Sequence, residues 1–182
     1  MAKVHLRASV LFIAFTSAAW AEVNIPTECR IKNLPPGRCG WCALETLARH
    51  HHIEALYGLT KAHATLSSPE HLEEVLDQAG VAYRIQYPGN YSKAILRNAV
   101  KKGLGAAVGV RGDYNGHGPH ILTLIDFDKD RVKVIDCNDK DRRTREISMD
   151  DFLYWWDGFA IVLEAAPQAD AAAAKSASAS RP

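Results

Sequence analysis

The 182-residue sequence is short of most features that decide a function class at once. Its charge has no dominant sign: 22 Lys and Arg stand against 21 Asp and Glu, a formal net of +1. That balance offers no electrostatic case for binding nucleic acid or an anionic membrane. Four cysteines are too few for a disulfide-dense mini-domain, although they suffice for one bridge and a reactive thiol. There is no internal repeat and no second long apolar run, which excludes a solenoid and a polytopic membrane protein. No phosphate-binding glycine loop, paired-carboxylate glycosidase tract or strong zinc-ligand spacing is visible, so no cofactor and no metal is expected. What remains is an ordinary globular composition, 47% hydrophobic and 24% charged, which excludes a wholly disordered chain and a coiled coil.

The two ends read as something other than fold. Lys3 and Arg7 precede an apolar run from Ala8 to Ala19, and Ala19 and Ala21 occupy the small-residue positions of a cleavage site. This pattern predicts a secretory signal peptide over residues 1–21, cut before Glu22. The run is shorter than the roughly 20 residues that span a bilayer, so no stable membrane insertion is expected after cleavage. Residues 165–182 are Ala/Ser/Pro-rich and predict a disordered tail. The working domain is therefore residues 22–164, secreted or periplasmic.

Within it, Pro26, Pro35, Pro36, Gly37 and Gly40 mark an irregular lead-in. Leu44, Leu47, Ala48 and His51 recur at helical spacing and predict a helix over Trp41–His52. A short helix is expected at Thr60–Leu66. Another follows Ser68 as N-cap and Pro69 at the first helical position, ending at Gly80. Val81–Tyr87 alternates like a strand, and Tyr91–Lys102 reads as a helix. Beyond Gly103 come short β runs at Ala106–Arg111, His120–Phe127, Arg131–Asn138, Thr144–Ile147 and Phe159–Leu163, with a short helix capped by Ser148 before the last. Helices first and an antiparallel sheet second argue for an α+β fold.

The chemistry concentrates in Gly37-Arg38-Cys39-Gly40-Trp41-Cys42, where a Gly/Pro-rich loop enters the first helix. A thiol at a helix N-terminus has a lowered pKa, and the unpaired N–H groups there can receive an oxyanion. The alternatives are a bridge, apolar filling, or a C-x-x-C thiol–disulfide oxidoreductase. No strand leads into Cys39 as a thioredoxin-like unit requires, and Pro35-Pro36 argues the same way.

A nucleophilic thiol needs a base, and the base needs an orienting partner. His50, His51 and His52 read as a solvated helix end, His63 and His71 as surface, and His117 as a rim residue in a glycine-rich loop. His120 opens the strand HILTLIDF. If Phe127 pairs with Arg131, His120 lies opposite Asn138 and diagonal to Asp136, all on one face. A connection of different parity would break that arrangement.

These residues resemble a papain-like cysteine peptidase, and more narrowly the bacteriocin-leader (double-glycine) peptidase branch. The likeness rests on the order Cys, His, Asp or Asn, on the tract HILTLIDFDKDRVKVIDCND, and on the closing ISMDDFLYWWDGFAIVLE. It implies a helical half carrying the cysteine, packed on an antiparallel sheet carrying His and Asp. It also implies hydrolysis of peptide (amide) bonds in a peptide or protein substrate. By likeness to papain's C-G-x-C tract, Cys42 is the favoured nucleophile, with His120 as base and Asp136 orienting it. On that register Cys39 is bridged to Cys29, and Cys137, on the face opposite Asp136, is a buried free thiol. The leader-peptidase branch places its cysteine directly before glycine, which keeps Cys39 as the alternative nucleophile. Asn138 and Asn33 are candidate orienting or oxyanion residues. The family carries a Gln about six residues before its nucleophile, and counted from Cys42 that position is Pro36. The competing expectation is therefore a catalytically weak or inactive papain-like binding domain.

Overall fold

In the computed structural model, which describes residues 22–164 apart from 35, 65, 115 and 117, the first helix α1 (Cys39–His50) starts two residues before the Trp41 that opens the apolar periodicity. The signal segment 1–21, the tail 165–182 and His117 lie outside the described residues. Every residue from Cys39 to Ala48 is buried, so α1 runs through the core instead of lying on it. Its one buried charge is fully matched. Glu45 accepts from Arg49 Nη2 at 2.8 Å and Nε at 3.1 Å, and from the Thr60 amide at 3.0 Å and hydroxyl at 2.8 Å. This pairing lets a carboxylate stay charged in the interior and pins the short helix α2 (Leu59–Ala62) against α1. The third helix, α3 (Pro69–Gln78), begins as its sequence signals: Ser68 Oγ accepts from the His71 amide at 3.2 Å, and Pro69 fills the first helical position.

Six antiparallel strands form one sheet: β1 (Tyr83–Gln86), β2 (Ala106–Val110), β3 (His120–Phe127), β4 (Arg131–Ile135), β5 (Thr144–Ser148) and β6 (Trp156–Leu163). Their order is β1-β6-β2-β3-β4-β5, so the last strand returns between the first and second. One face packs on α1 and α3 through Ala107, Ile121, Ile125, Phe159 and Ile161. The other face packs on α4 (Ala94–Lys101) and α5 (Met149–Trp155) through Val108, Leu122, Leu124, Val134 and Ala160. Both faces are covered, which explains why β3 is buried along its whole length. The arrangement is α+β, with the thiol helix on one side of the sheet.

The β3–β4 hairpin differs from its expected register at the turn and agrees beyond it. The pairs nearest the turn are Phe127–Val132 and Asp126–Lys133, one residue off. A bulge at Ile125 then absorbs the shift, and Leu124–Val134 and Thr123–Ile135 stand in the expected register. The bulge restores the parity that sends His120 toward Asp136.

Candidate active site

Three backbone ends converge here. Cys39 is the first residue of α1, His120 the first of β3, and Asp136 follows the last residue of β4. His120 Nε2 and Asp136 Oδ1 are 2.8 Å apart, and both side chains are buried. The same Oδ1 accepts from the Asn138 amide at 2.9 Å. On its other side the imidazole shares a hydrogen bond with the Cys39 thiol. Thiol, imidazole and carboxylate thus form one chain of contacts.

Their electrostatics follow from that chain. Burial opposes a charge on His120, yet the hydrogen bonds to Asp136 and Cys39 and their negative charges outweigh it and raise its pKa to about 9. Burial also opposes the Cys39 thiolate, but the His120 contact and the Ile121 and Gly40 backbone N–H groups bring the thiol below its ordinary value. For Asp136, burial is again outweighed, here by His120 and the Asn138 amide, and the carboxyl falls below the usual range. The resting state this favours is thiolate, imidazolium, carboxylate.

Cys42 is elsewhere. It is completely buried, one helical turn further into the core, and its thiol meets that of Cys137. That contact and burial push the Cys137 thiol far above its ordinary value. The structure thus brings Cys39, and not the favoured Cys42, to His120: the helix starts earlier than its apolar periodicity, which puts Cys39 at the terminus facing His120 and turns Cys42 inward. The Cys29–Cys39 bridge is corrected too, because all four cysteines are free thiols and Cys39 is engaged with His120. Cys137 is buried and free, but not remote from Asp136. Asp136 lies just beyond the end of β4, where strand alternation no longer holds, and the ligand atoms of His120, Asp136 and Cys137 lie within 4.8 Å of one another. A soft divalent metal is the kind of ion those donors suit.

Counted back six from Cys39, the residue is Asn33, not Pro36. Asn33 is buried and bonds to two other segments. Its Oδ1 accepts from the Arg38 amide at 2.9 Å, its Nδ2 donates to Asn138 Oδ1 at 2.7 Å, and its own amide donates to Cys137 O at 3.0 Å. It therefore ties the start of α1 to the segment carrying Asp136. His63 and His71 are not simply surface residues, since both rings pack on Trp41, His63 stacked at 4.2 Å. His50 and His51 lie edge to face at 4.7 Å, and His51 Nε2 bonds Leu104 O at 2.7 Å.

A cleft of about 320 Å³ opens beside Cys39 and His120, walled by Leu66, Ser67, Pro69 and Ile121. Gly40 packs against Ser67, where a Cβ would collide with the Ser67 hydroxyl. Sequence reasoning passed over Ser67, which sits in no motif, and Asp157, which also lines the cleft but lies in the closing tract far along the chain from the Cys and His segments.

No protein-family model matches the chain, and no curated protein matches it in sequence. Solved structures do match in fold. A double-glycine motif protease from an AMS/PCAT transporter, solved in complex with a leader peptide, superposes with a TM-score of 0.56 at 14% identity, covering 80% of this chain and 94% of that one. The peptidase domain of Streptococcus ComA, a bifunctional ABC transporter of a quorum-sensing pathway, gives 0.57 at 17% identity, covering 75% and 97%. The Streptococcus mutans ComA peptidase domain gives 0.51 at 17%, covering 75% and 98%. This chain has the fold of those cysteine peptidase domains.

Proposed function

From a fold of the double-glycine peptidase kind, we propose that the protein is a papain-like cysteine peptidase with Cys39 as nucleophile, His120 as general base and acid, and Asp136 as the group that orients His120. The observation that carries this reading is the unbroken contact chain from the Cys39 thiol through His120 to Asp136 at the mouth of a cleft. The Cys39 thiolate attacks a substrate carbonyl carbon, and the developing oxyanion is received by N–H groups at the α1 terminus. His120 gives its proton to the leaving amine. It then takes one from water, which hydrolyses the thioester and frees the acid. Asp136 holds the ring through Nε2, so the opposite nitrogen serves the sulfur. Asn33 stands where the family's Gln is expected, and its second amide hydrogen is the candidate side-chain donor to the oxyanion. The substrate is a peptide, as for the neighbour bound to a leader peptide. The secretory-signal pattern of residues 1–21 supports a reaction outside the cytoplasm.

The test is thiol reactivity followed by turnover. Brief alkylation at about pH 6, where an ordinary thiol is almost wholly protonated, labels Cys39 fast in the protein and slowly in His120→Ala. Cys39→Ala abolishes peptide cleavage, while Cys42→Ala retains it and costs on the order of 1 kcal/mol of stability for the lost core sulfur. Fast labelling at Cys42 with Cys39 inert would overturn the assignment.

A further inference from the structure

The cleft carries a charge that the triad does not use. Strand β6 bulges where it passes β2: Val108 pairs with Ala160 and Val110 with Trp156, so Gly109 alone opposes Asp157, Gly158 and Phe159. Bulges re-aim side chains, and this one turns Asp157 into the cleft that holds Cys39 and His120. The carboxylate lies flat over Gly109, where a Cβ would come within 2.7 Å of Oδ1 and 2.8 Å of Oδ2.

The corner is fixed from behind. The Gly89 amide donates to Asp157 O at 2.8 Å, and Gln86 Nε2 donates to Gly158 O at 2.8 Å and Asn90 O at 2.6 Å. Gly158 has φ +95°, and a Cβ there would meet Asn90 O at 2.6 Å. Asp157 Oδ1 accepts from the Phe159 amide at 2.8 Å, the residue's own backbone N–H also acts on the carboxylate, and no side chain among the described residues donates to it. No described cation is in ion-pair contact with it. Arg111 acts on it only at a distance, and its guanidinium bonds Tyr91 Oη at 3.2 Å. Burial lifts the Asp157 carboxyl above the usual range and outweighs the Phe159 and Asp157 backbone N–H groups and the distant Arg111.

The geometry points to a cation subsite at Asp157: the cleft beside Cys39 takes a substrate carrying an ammonium or guanidinium group, a Lys or Arg side chain close to the bond attacked. A preorganised, half-buried carboxylate that no side chain pairs gains most from a ligand that brings the missing positive charge. This inference rests on the peptidase reading for the identity of the bond broken, but the charge preference stands on Asp157 and is measurable without turnover.

Methanethiosulfonate reagents of matched size test it, one with a trimethylammonium tail, one with a sulfonate tail and one neutral. Each transfers its thioalkyl group to the Cys39 thiolate as a mixed disulfide and releases methanesulfinate. The ratio of cationic to anionic rates at Cys39, read by peptide mass spectrometry, is expected to exceed that of a cysteine in the unfolded chain by about tenfold. In Asp157→Asn, which keeps the acceptor for the Phe159 amide, the ratio drops to the unfolded value while the neutral rate changes less than about twofold. Gly109→Ala, which displaces the carboxylate, gives the same loss. An unfolded-like ratio in the unmodified protein, or one unchanged in both variants, overturns the subsite. A slow neutral rate at Cys39 instead counts against the peptidase reading, and the ratio still decides the subsite.

Discussion

At the residue scale, the site is an ion pair tuned by a third group, and its pH behaviour follows in sign. The thiolate–imidazolium state persists upward until His120 loses its proton near pH 9 and downward until the lowered Cys39 thiol is protonated. A plot of kcat/KM against pH should therefore fall on the alkaline side at about 9. Asp136→Asn removes the hydrogen-bonded negative charge that raises His120, so the alkaline limb moves to lower pH and activity falls by a factor on the order of 10² or more. An alkaline limb that stays in place in that variant would separate Asp136 from the base. Asn33 is the other decisive side chain. Seen along the sequence it is one polar residue in a lead-in, and in space it joins the helix that carries the thiol to the segment that carries the carboxylate.

At the element scale, the walls of the cleft depend on where two helices begin. The segment before α3 supplies Leu66 and Ser67, the first residue of α3 supplies Pro69, and Ser68 caps the helix between them. Ser68→Ala leaves the His71 amide unpaired and costs about 1 kcal/mol, which a urea titration reads as a lowered midpoint with unchanged slope. Because the frayed turn borders the cleft, KM should rise more than kcat falls. Equal KM in the two proteins would mean that α3 is scaffold only. Much of this organisation was legible in the sequence. The Ser68-Pro69 start and the Ser148 cap carry local chemistry that needs no tertiary context, and β3 appears as read, His120–Phe127. The start of α1 was not legible, because Cys39 and Gly40 are small residues in a Gly/Pro-rich stretch and only packing extends the helix through them.

At the scale of the whole molecule, α1 is a core helix whose buried Glu45 fastens α2 to it. Burial opposes that carboxylate, but the Thr60 amide and hydroxyl and Arg49 outweigh it and hold its pKa low. A depressed folded pKa contributes stability above the unfolded value of about 4.3, and that contribution is lost as pH falls through the folded pKa. Asp136 has the same sign. Unfolding free energy should therefore decline below about pH 4, and the decline should be shallower in Glu45→Gln. That variant should also lose about 3 kcal/mol near neutral pH, because it weakens a buried ion pair and leaves the Arg49 and Thr60 donors poorly matched. Denaturant curves at several pH values measure both effects, and parallel pH slopes in the two proteins would show that Glu45 does not carry the acid sensitivity.

The sequence by itself determined the fold class, the β3–β4 hairpin, the helix caps and the nomination of His120 and Asp136. Those features depend on periodicity and on near neighbours in the chain. Only the tertiary structure decided which thiol meets the imidazole, that Asn33 and not Pro36 precedes it at the family's spacing, and that Asp157 enters the same cleft. Each of these depends on a displacement of one or two residues: an early helix start for the thiol and Asn33, and a bulge opposite Gly109 for Asp157. Such displacements leave hydrophobic patterning nearly unchanged, and packing between distant segments selects among them.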